Sequence, residues 1–556
     1  LFPDIWGVEG DKYKVELQNK NNIQIWAPSD PIIVPFGTIT AITDQLASKE
    51  FDTVALMVAD TNLVVGNTVR TLGYLAKGDG GDNVYNIVAA ATGTVNGGDF
   101  IDLTGISGQA NGLFPSGIKY AKQYGASGDG ATDDFAALQN RISAQGYVPL
   151  TDGTYSISAS LNISKPLSFE GVSPDTTVKV DASYPATTNI FTITPGLTEE
   201  RRNWKFSNYF IDGAVGNLAQ DAFFIDLNAG TFLNKLTIEN VISEFQFTGF
   251  FIQLDNPITN ADGLFTGVVK DCWALNGIKL SNIGDSFIFS RNTISGDGIG
   301  VAFDLRQIAT ASHIIIEDGN YTASGGALFC DAAFNLRFRN NQVECPFTFD
   351  GSNDAAISIT HFDGGSVSLG CEITGNNVNT QSNPKSCIRL IRAQETLIEG
   401  NSLFCNPSTG EHITISAGAI DTIIGNNLFF SSTTGAEITP IITDLGSGTR
   451  GIWKPLTITL ASWALIDAVN GFALEFKKEK DGTVKLRGNV SGPAVTAADV
   501  LATLPVGFRP SKVFTASPSN PADTDTAINI LPTGEIQFIT TGDTLLYLDG
   551  LQFPTD

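Results

Sequence analysis

The chain has 556 residues, 42% hydrophobic and 16% charged, enough for a substantial core and more than one domain. Its 58 acidic against 33 basic residues leave a net charge of −25, which argues against non-specific binding to nucleic acid or to anionic membrane surfaces and repels an anionic polymer overall. No basic-then-apolar leader opens the sequence and no apolar run approaches the roughly 18 residues that span a bilayer, so no membrane anchor is expected; Leu1 in place of Met implies a fragment or a processed chain.

The first 115 residues read as small adaptor modules. Short β segments at 13–17 and 23–26 run into a turn-rich stretch at 28–35. A brief helix is expected near 54–59, then strands over 63–91 broken by a loop at 78–82, then a Gly-rich connector at 93–117. At Gly125 the character changes. The run GASGDGATDD (125–134) leads into an amphipathic helix with Phe135, Leu138 and Ile142 on one face, Thr132 as its cap, and Asp133 and Asp134 at its positive end. That helix is expected to plug the open end of a downstream solenoid. Residues 148–158, centred on Gly153, Thr154 and Tyr155, predict its first coil.

Five stretches then repeat an apolar residue, two variable positions, Asn, one variable position and a second apolar residue: Phe289, Asn292, Ile294; Phe338, Asn341, Val343; Ile373, Asn376, Val378; Ile398, Asn401, Leu403; and Ile423, Asn426, Leu428. Successive asparagines are 49, 35, 25 and 25 residues apart, and the longest gap leaves room for a degenerate coil around Gly319. Spacing this uneven excludes rigid helical repeats and suits a solenoid of stacked strands whose turns absorb insertions. Asn tolerates left-handed backbone and hydrogen-bonds its own turn, so it is expected where each coil bends, stacking into a ladder. A β-sandwich with fortuitous Asn turns is the alternative. All six cysteines (Cys272, Cys330, Cys345, Cys371, Cys387, Cys405) fall in this region with no CxxC pair and no clustered histidines. Buried unpaired thiols are expected rather than disulfides, with no zinc site and no cofactor.

The order GDGATDD, capping helix, stacked coils resembles the pectate-lyase-like β-helix of bacteriophage tailspike proteins. Residues 51–85 are similar to the neck that precedes it, and TLPVGFRPSK (503–512) and LLYLDGLQFP (545–554) to C-terminal modules of phage fibres and spikes. The resemblance implies an all-β fold: N-terminal adaptor and neck modules over 1–115, a right-handed parallel β-helix over 116–450, and a C-terminal β-sandwich over 451–556 for trimerisation or carbohydrate binding. It further implies a homotrimer, with Trp453, Trp463 and Phe508 serving either its interface or an ordinary core, attached to the phage tail through its N-terminal side. Such a virion protein acts at the host surface, where it binds and depolymerises capsular polysaccharide or O-antigen.

Glycosidic hydrolysis needs one carboxylic acid to protonate the leaving oxygen and one carboxylate to activate water or attack carbon. Neighbouring coils of a β-helix lie about 4.8 Å apart, so stacked acids can supply that pair. Asp304, Asp331 and Asp350 each end an alternating strand and are expected to line one edge; close like charges would push one pKa upward. Aligning the Asn motifs gives two outward columns in which Glu317 neighbours Arg339 and Arg337 neighbours Glu372. These read either as solubilising ion-pair ladders or as a groove where Arg337 and Arg339 grip an anionic group while Glu317 or Glu344 transfers a proton. Arg306 is a further binding candidate, His313 a candidate base, and Trp273 and Tyr321 candidate stacking platforms for sugar rings. The resulting expectation is an endo-acting glycoside hydrolase. A polysaccharide lyase would instead centre on His313, Arg337 and Tyr321, and an adhesive spike would have the fold without turnover. Gly284, Asp285 and Ser286 are similar to a GDSL block, but no later Asp-x-x-His accompanies them.

Overall fold

The computed structural model describes residues 4–8, 12–18, 24–26 and 49–556, apart from 145, 174, 197–202, 214–218, 228–231, 245–247, 256–262, 281–285, 296–300, 306–310, 324–325, 332, 346–354, 361–367, 382–385, 409, 445–448, 452, 466–473, 480, 518–526, 543 and 556. The chain packs as two compact units, Leu1–Ile157 with Phe169–Thr176, and Ser158–Ser168 with Thr177–Asp556.

In the first unit, Asp4–Val8, Lys12–Gln18 and Gln24–Trp26 form an antiparallel sheet, as the two predicted β segments require. The turn-rich stretch at 28–35 lies outside the described residues. The expected helix is Val54–Ala59, capped by the Thr53 hydroxyl. It packs on a five-stranded sheet that includes Phe100–Asp102 and Gln109–Gly112, so the supposed connector at 93–117 contributes strands, its glycines sitting at turns and close approaches. Helix Phe135–Ser143 buries Ala137, Leu138, Arg141 and Ile142 while Phe135 is half-buried. Thr132 does not cap it. Its hydroxyl and amide bond Asp129, and Asp134 sits at the N-cap. The Asp134 carboxylate faces away from the helix, accepting from Ser127 N (2.6 Å) and Gly128 N (3.1 Å), and burial pushes its pKa up to about 6.

The second unit contains a parallel β-helix. Its later coils build three long strand rows and one short one: row A (Phe287–Ser290, Ile314–Glu317, Arg337–Arg339, Glu372–Thr374, Leu397–Glu399, Ile423–Ile424), row B (Thr293–Ser295, Asn320–Thr322, Gln342–Glu344, Asn377–Asn379, Ser402–Cys405, Leu428–Ser431), row C (Ile278–Leu280, Phe303–Leu305, Leu328–Asp331, Ala355–Thr360, Ser386–Leu390, Ile413–Ile415, Ile442–Asp444) and the short row D (Ala311–Ser312, Ala333–Phe334, Ser368–Leu369, Ala393–Gln394). Alternation turns one residue in two inward, as in Ile314 and Ile316 against half-buried Ile315 and Glu317. The interior is aromatic in the early coils: Phe191 stacks on Phe223 at 5.1 Å, and Phe289, Phe303 and Tyr321 pack edge to face in turn at 5.1 and 5.0 Å. Burying each such ring contributes about 1.5–3 kcal/mol.

The ladder exists, with one shift of register. Asn341 Nδ2 donates to Asn376 Oδ1 (3.1 Å), Asn376 to Asn401 (2.9 Å), and Asn401 to Asn427 (2.9 Å). The last rung is Asn427 rather than the expected Asn426, because Ile424, not Ile423, pairs with Ile398 and points inward. Gly319 holds the degenerate position, its N–H donating to Asn341 Oδ1 (3.0 Å). A Cβ there would lie 2.1 Å from the Tyr321 hydroxyl, so the ring takes the space of a missing rung. The rungs themselves are not left-handed. That conformation belongs to the residue before positions 292, 319, 341, 376 and 401, namely Arg291, Asp318, Asn340, Gly375 and Gly400, and not to Asn426 before Asn427. A second left-handed column, Ser286, His313, Asn335, Gly370, Glu395 and Asp421, precedes the positions 292, 319, 341, 376, 401 and 427 by a constant six residues. Every difference in coil length therefore falls elsewhere in the turn.

Past 451 the chain forms antiparallel sheets around a core that contains Trp463 (7% exposed) and Phe508 (2%). These two belong to that core and not to an exposed interface. Trp453 is half-buried, with the Arg487 guanidinium 4.2 Å from its ring centroid. All six cysteines are buried and unpaired, and burial raises every one of their pKa values.

Candidate functional site

Row C carries the candidate acid pair. Asp304 lies between Lys279 and Phe329 in register, and Asp331 opposite Thr360, whose hydroxyl donates to the Asp331 carboxylate. Both project from the outer face, because Phe303, Leu305, Leu328 and Cys330 take the inward positions. Asp331 is 3% and Asp304 8% exposed, so each carboxylate sits in a largely water-excluded setting. One coil and two residues separate them, which at about 4.8 Å per coil and about 3.3 Å per residue puts their Cα atoms about 8 Å apart.

The expected three-aspartate column does not form. The next strand in register is Ala355–Thr360, which sets Ser358 beside Phe329 and Thr360 beside Asp331, and the two aspartates are themselves offset by two positions. Asp350 and Arg306 lie outside the described residues, as do Gly284 and Asp285.

The other candidates are distributed over rows A and B. Glu317 accepts from Arg339 Nε (2.8 Å) and Nη2 (2.6 Å), and Arg337 Nε lies 3.4 Å from Glu372. Both pairs were legible from the Asn alignment, and both form outward ion pairs in row A. Glu344 and Gln342 face outward in row B at a marginal 3.5 Å. His313 stands exposed at the corner between rows D and A, with Asn335 Nδ2 3.4 Å from its Nε2. Trp273 is half-buried on the strand Trp273–Ala274, between Ile242 and Thr293 in register. Tyr321 is 0% exposed between Phe303 and Phe338, and burial raises its hydroxyl pKa. It is a core residue and cannot stack on a sugar from outside.

Sequence reasoning missed the neighbours of the acid pair on row C. Lys279 precedes Asp304 in its column; Arg389 pairs with Ser358, and Thr414 with Arg389. Glu411 is fixed by hydroxyls of Thr414 (2.5 Å) and Thr443 (2.6 Å). Asp221 is fully buried, accepts from Phe250 N (2.6 Å), and burial pushes its pKa up to about 6. For Arg389 and Thr414 the signal is register: once Phe303, Leu328, Ile357, Ile388 and Ile413 are aligned, the residue after each is outward. Among the described residues no cluster of His, Cys, Asp and Glu could hold a metal ion, and no helix is long and apolar enough to cross a membrane.

Residues 120–345 match the family described as Rhamnogalacturonase A/epimerase, pectate lyase-like, which covers the start of the β-helix through the acid pair. Solved structures similar to this chain include tailspike protein 2 of the Escherichia coli O157:H7 bacteriophage CAB120, at 14% identity over 99% of this chain and 77% of that one, TM-score 0.44. Another is a tailspike, gp49, of the Acinetobacter baumannii bacteriophage Fri1, described as a capsular polysaccharide depolymerase, at 12% identity over 90% of this chain and 100% of that one, TM-score 0.44. A third is the A-module of an Azotobacter vinelandii mannuronan C-5 epimerase, at 15% identity over 60% and 93%, TM-score 0.33. No curated protein matches the sequence.

Proposed function

We propose that this chain is a phage tailspike that binds and depolymerises capsular polysaccharide or O-antigen by endo-glycosidic hydrolysis, with Asp304 and Asp331 as the catalytic pair. The observation that carries the reading is the placement of two carboxylates on the outer face of one row, in neighbouring coils, in a largely dry setting. In such a pair one carboxyl protonates the leaving oxygen while the other activates water or attacks carbon, and acids one coil apart on a single outward face supply both groups. Thr360 orients Asp331 through its hydroxyl, and Lys279 flanks Asp304 to meet polar groups of the substrate. The match to a pectate-lyase-like family over 120–345 supports the substrate class. Assembly as a homotrimer and attachment to the phage tail through the N-terminal side belong to the same reading.

Lyase chemistry has less support in the geometry. Of its three candidates, Tyr321 is core and Arg337 is engaged with Glu372. Incubating the protein with bacterial surface polysaccharides and following polymer size and ultraviolet absorbance separates the readings. Shortened polymer with new reducing ends and no unsaturated sugar is the expected result. Unsaturated products would establish a lyase, and unchanged polymer an adhesive spike.

A further inference from the structure

A cleft of about 500 Å³ opens where the last coils of the β-helix meet the first hairpin of the C-terminal sheets, lined by Glu399, Ile424, Gly425, Asn426, Gly451 and the hairpin residues Lys477, Glu479, Asp481 and Lys485. It lies at the end of row A, away from the acid pair on row C. Two features of the backbone hold it open. Gly451 N donates to Lys478 O (2.5 Å) and Ile424 N to Arg450 O (2.8 Å), which ties the hairpin to the final coil. Gly451 has φ +89°, and a Cβ there would lie 1.6 Å from Ile424 O, so glycine alone permits this approach. On the floor, Gly425 comes after Glu399 in the column, and its lack of a side chain lets the Glu399 carboxylate lie against it, 2.8 Å from where a Cβ would be.

The lining is mostly polar, with Ile424 as its one apolar side chain. Glu479 is held by Lys477 (3.1 Å) and Lys485 (3.0 Å), and these two ammoniums keep its carboxyl below the ordinary range against the opposing effect of burial. Three carboxylates, two ammoniums and the Asn426 amide thus set donors and acceptors side by side around one hollow. Such an array satisfies hydroxyl groups, each of which donates and accepts at once. It offers no apolar wall for a peptide side chain, and its three carboxylates against two cations disfavour a nucleic acid phosphate. The volume lies within the range of small-ligand sites and fits one to three sugar rings.

We propose that this cleft is a second saccharide-binding site, for an uncharged, hydroxyl-rich segment of a surface polysaccharide, which holds polymer without cleaving it. The test uses the full-length chain on an array of purified capsular polysaccharides and O-antigens, with Lys485→Met and Gly425→Ser beside the wild type. Lys485→Met removes a donor, and Gly425→Ser displaces Glu399 from the floor while keeping the Gly425 N–H bond to Ile398 O. Both are expected to weaken retention of a bound polymer about tenfold, the loss of one or two charge-assisted hydrogen bonds, with the melting temperature and the cleavage of short oligosaccharides unchanged. Retention equal to wild type in both variants, or no polymer retained by the wild type, overturns the proposal. Cleavage that survives Asp304→Asn strikes the catalytic pair alone and leaves this result readable.

Discussion

Replacing Asn376 with Ala isolates what the interior ladder contributes. The side chain is 1% exposed and makes four hydrogen bonds: Nδ2 to Phe338 O (2.9 Å) and to Asn401 Oδ1 (2.9 Å), and Oδ1 from Asn341 N (2.9 Å) and Asn341 Nδ2 (3.1 Å). Three of the four partners keep a substitute. Asn401 Oδ1 still accepts from Asn376 N, and Asn341 Nδ2 still reaches Ile316 O. The Asn341 N–H loses its acceptor inside the core, while the Phe338 carbonyl stays in the parallel ladder with Ile373, so the one group left unsatisfied makes the substitution cost about 1–3 kcal/mol. The control is Asn426→Ala, at the exposed position next to the true rung, which is expected to cost less than about 0.5 kcal/mol. Unfolding rates in denaturant are the suitable assay, since a large chain of two units need not unfold reversibly. Equal effects of the two substitutions, or a larger one at Asn426, would refute both the register and the energetic argument.

Asp304→Asn and Asp331→Asn should each lower depolymerisation by about a hundredfold or more with unchanged circular dichroism, as measured by reducing-end release. Glu317→Gln, which breaks a partly exposed pair with Arg339, should change stability by less than about 1 kcal/mol, an effect shrinking further in added salt, and should leave turnover intact. His412 is buried with Nδ1 accepting from Ile441 N (3.0 Å) and Nε2 donating to Phe430 O (3.1 Å), and burial holds its pKa below the ordinary value of 6.5. Its folded form resists protonation, so its contribution is fully present above pH 6.5 and declines as pH falls below that toward the depressed value. Melting curves from pH 7.5 to 5 should show that decline, flattened in His412→Gln.

The period of two and the recurring Asn carried most of the fold, and where they failed the causes are local. Asn426 and Asn427 are adjacent, so the pattern alone could not choose between them; the inward turn of Ile424 decides it. Gly319 was placed correctly because the spacing demanded a coil there. The charge pairs Glu317 with Arg339 and Arg337 with Glu372 came from the same alignment, since row A has a fixed length before each rung. Row C offered no such anchor. Long insertions precede its strands, so Asp350 was aligned with Asp331 although Thr360 takes that place, and Glu411 and Arg389, which belong to no repeat, escaped notice. Trp463 and Phe508 looked like surface aromatics because short antiparallel strands reveal little about which side is covered.

The constant five-residue offset between the two left-handed corners divides these coils into a part that cannot vary and a part that can. Mutational drift in loop length is thereby confined to the far side, leaving the amide spine undisturbed. Loops on that side can lengthen or be recast without refolding the scaffold.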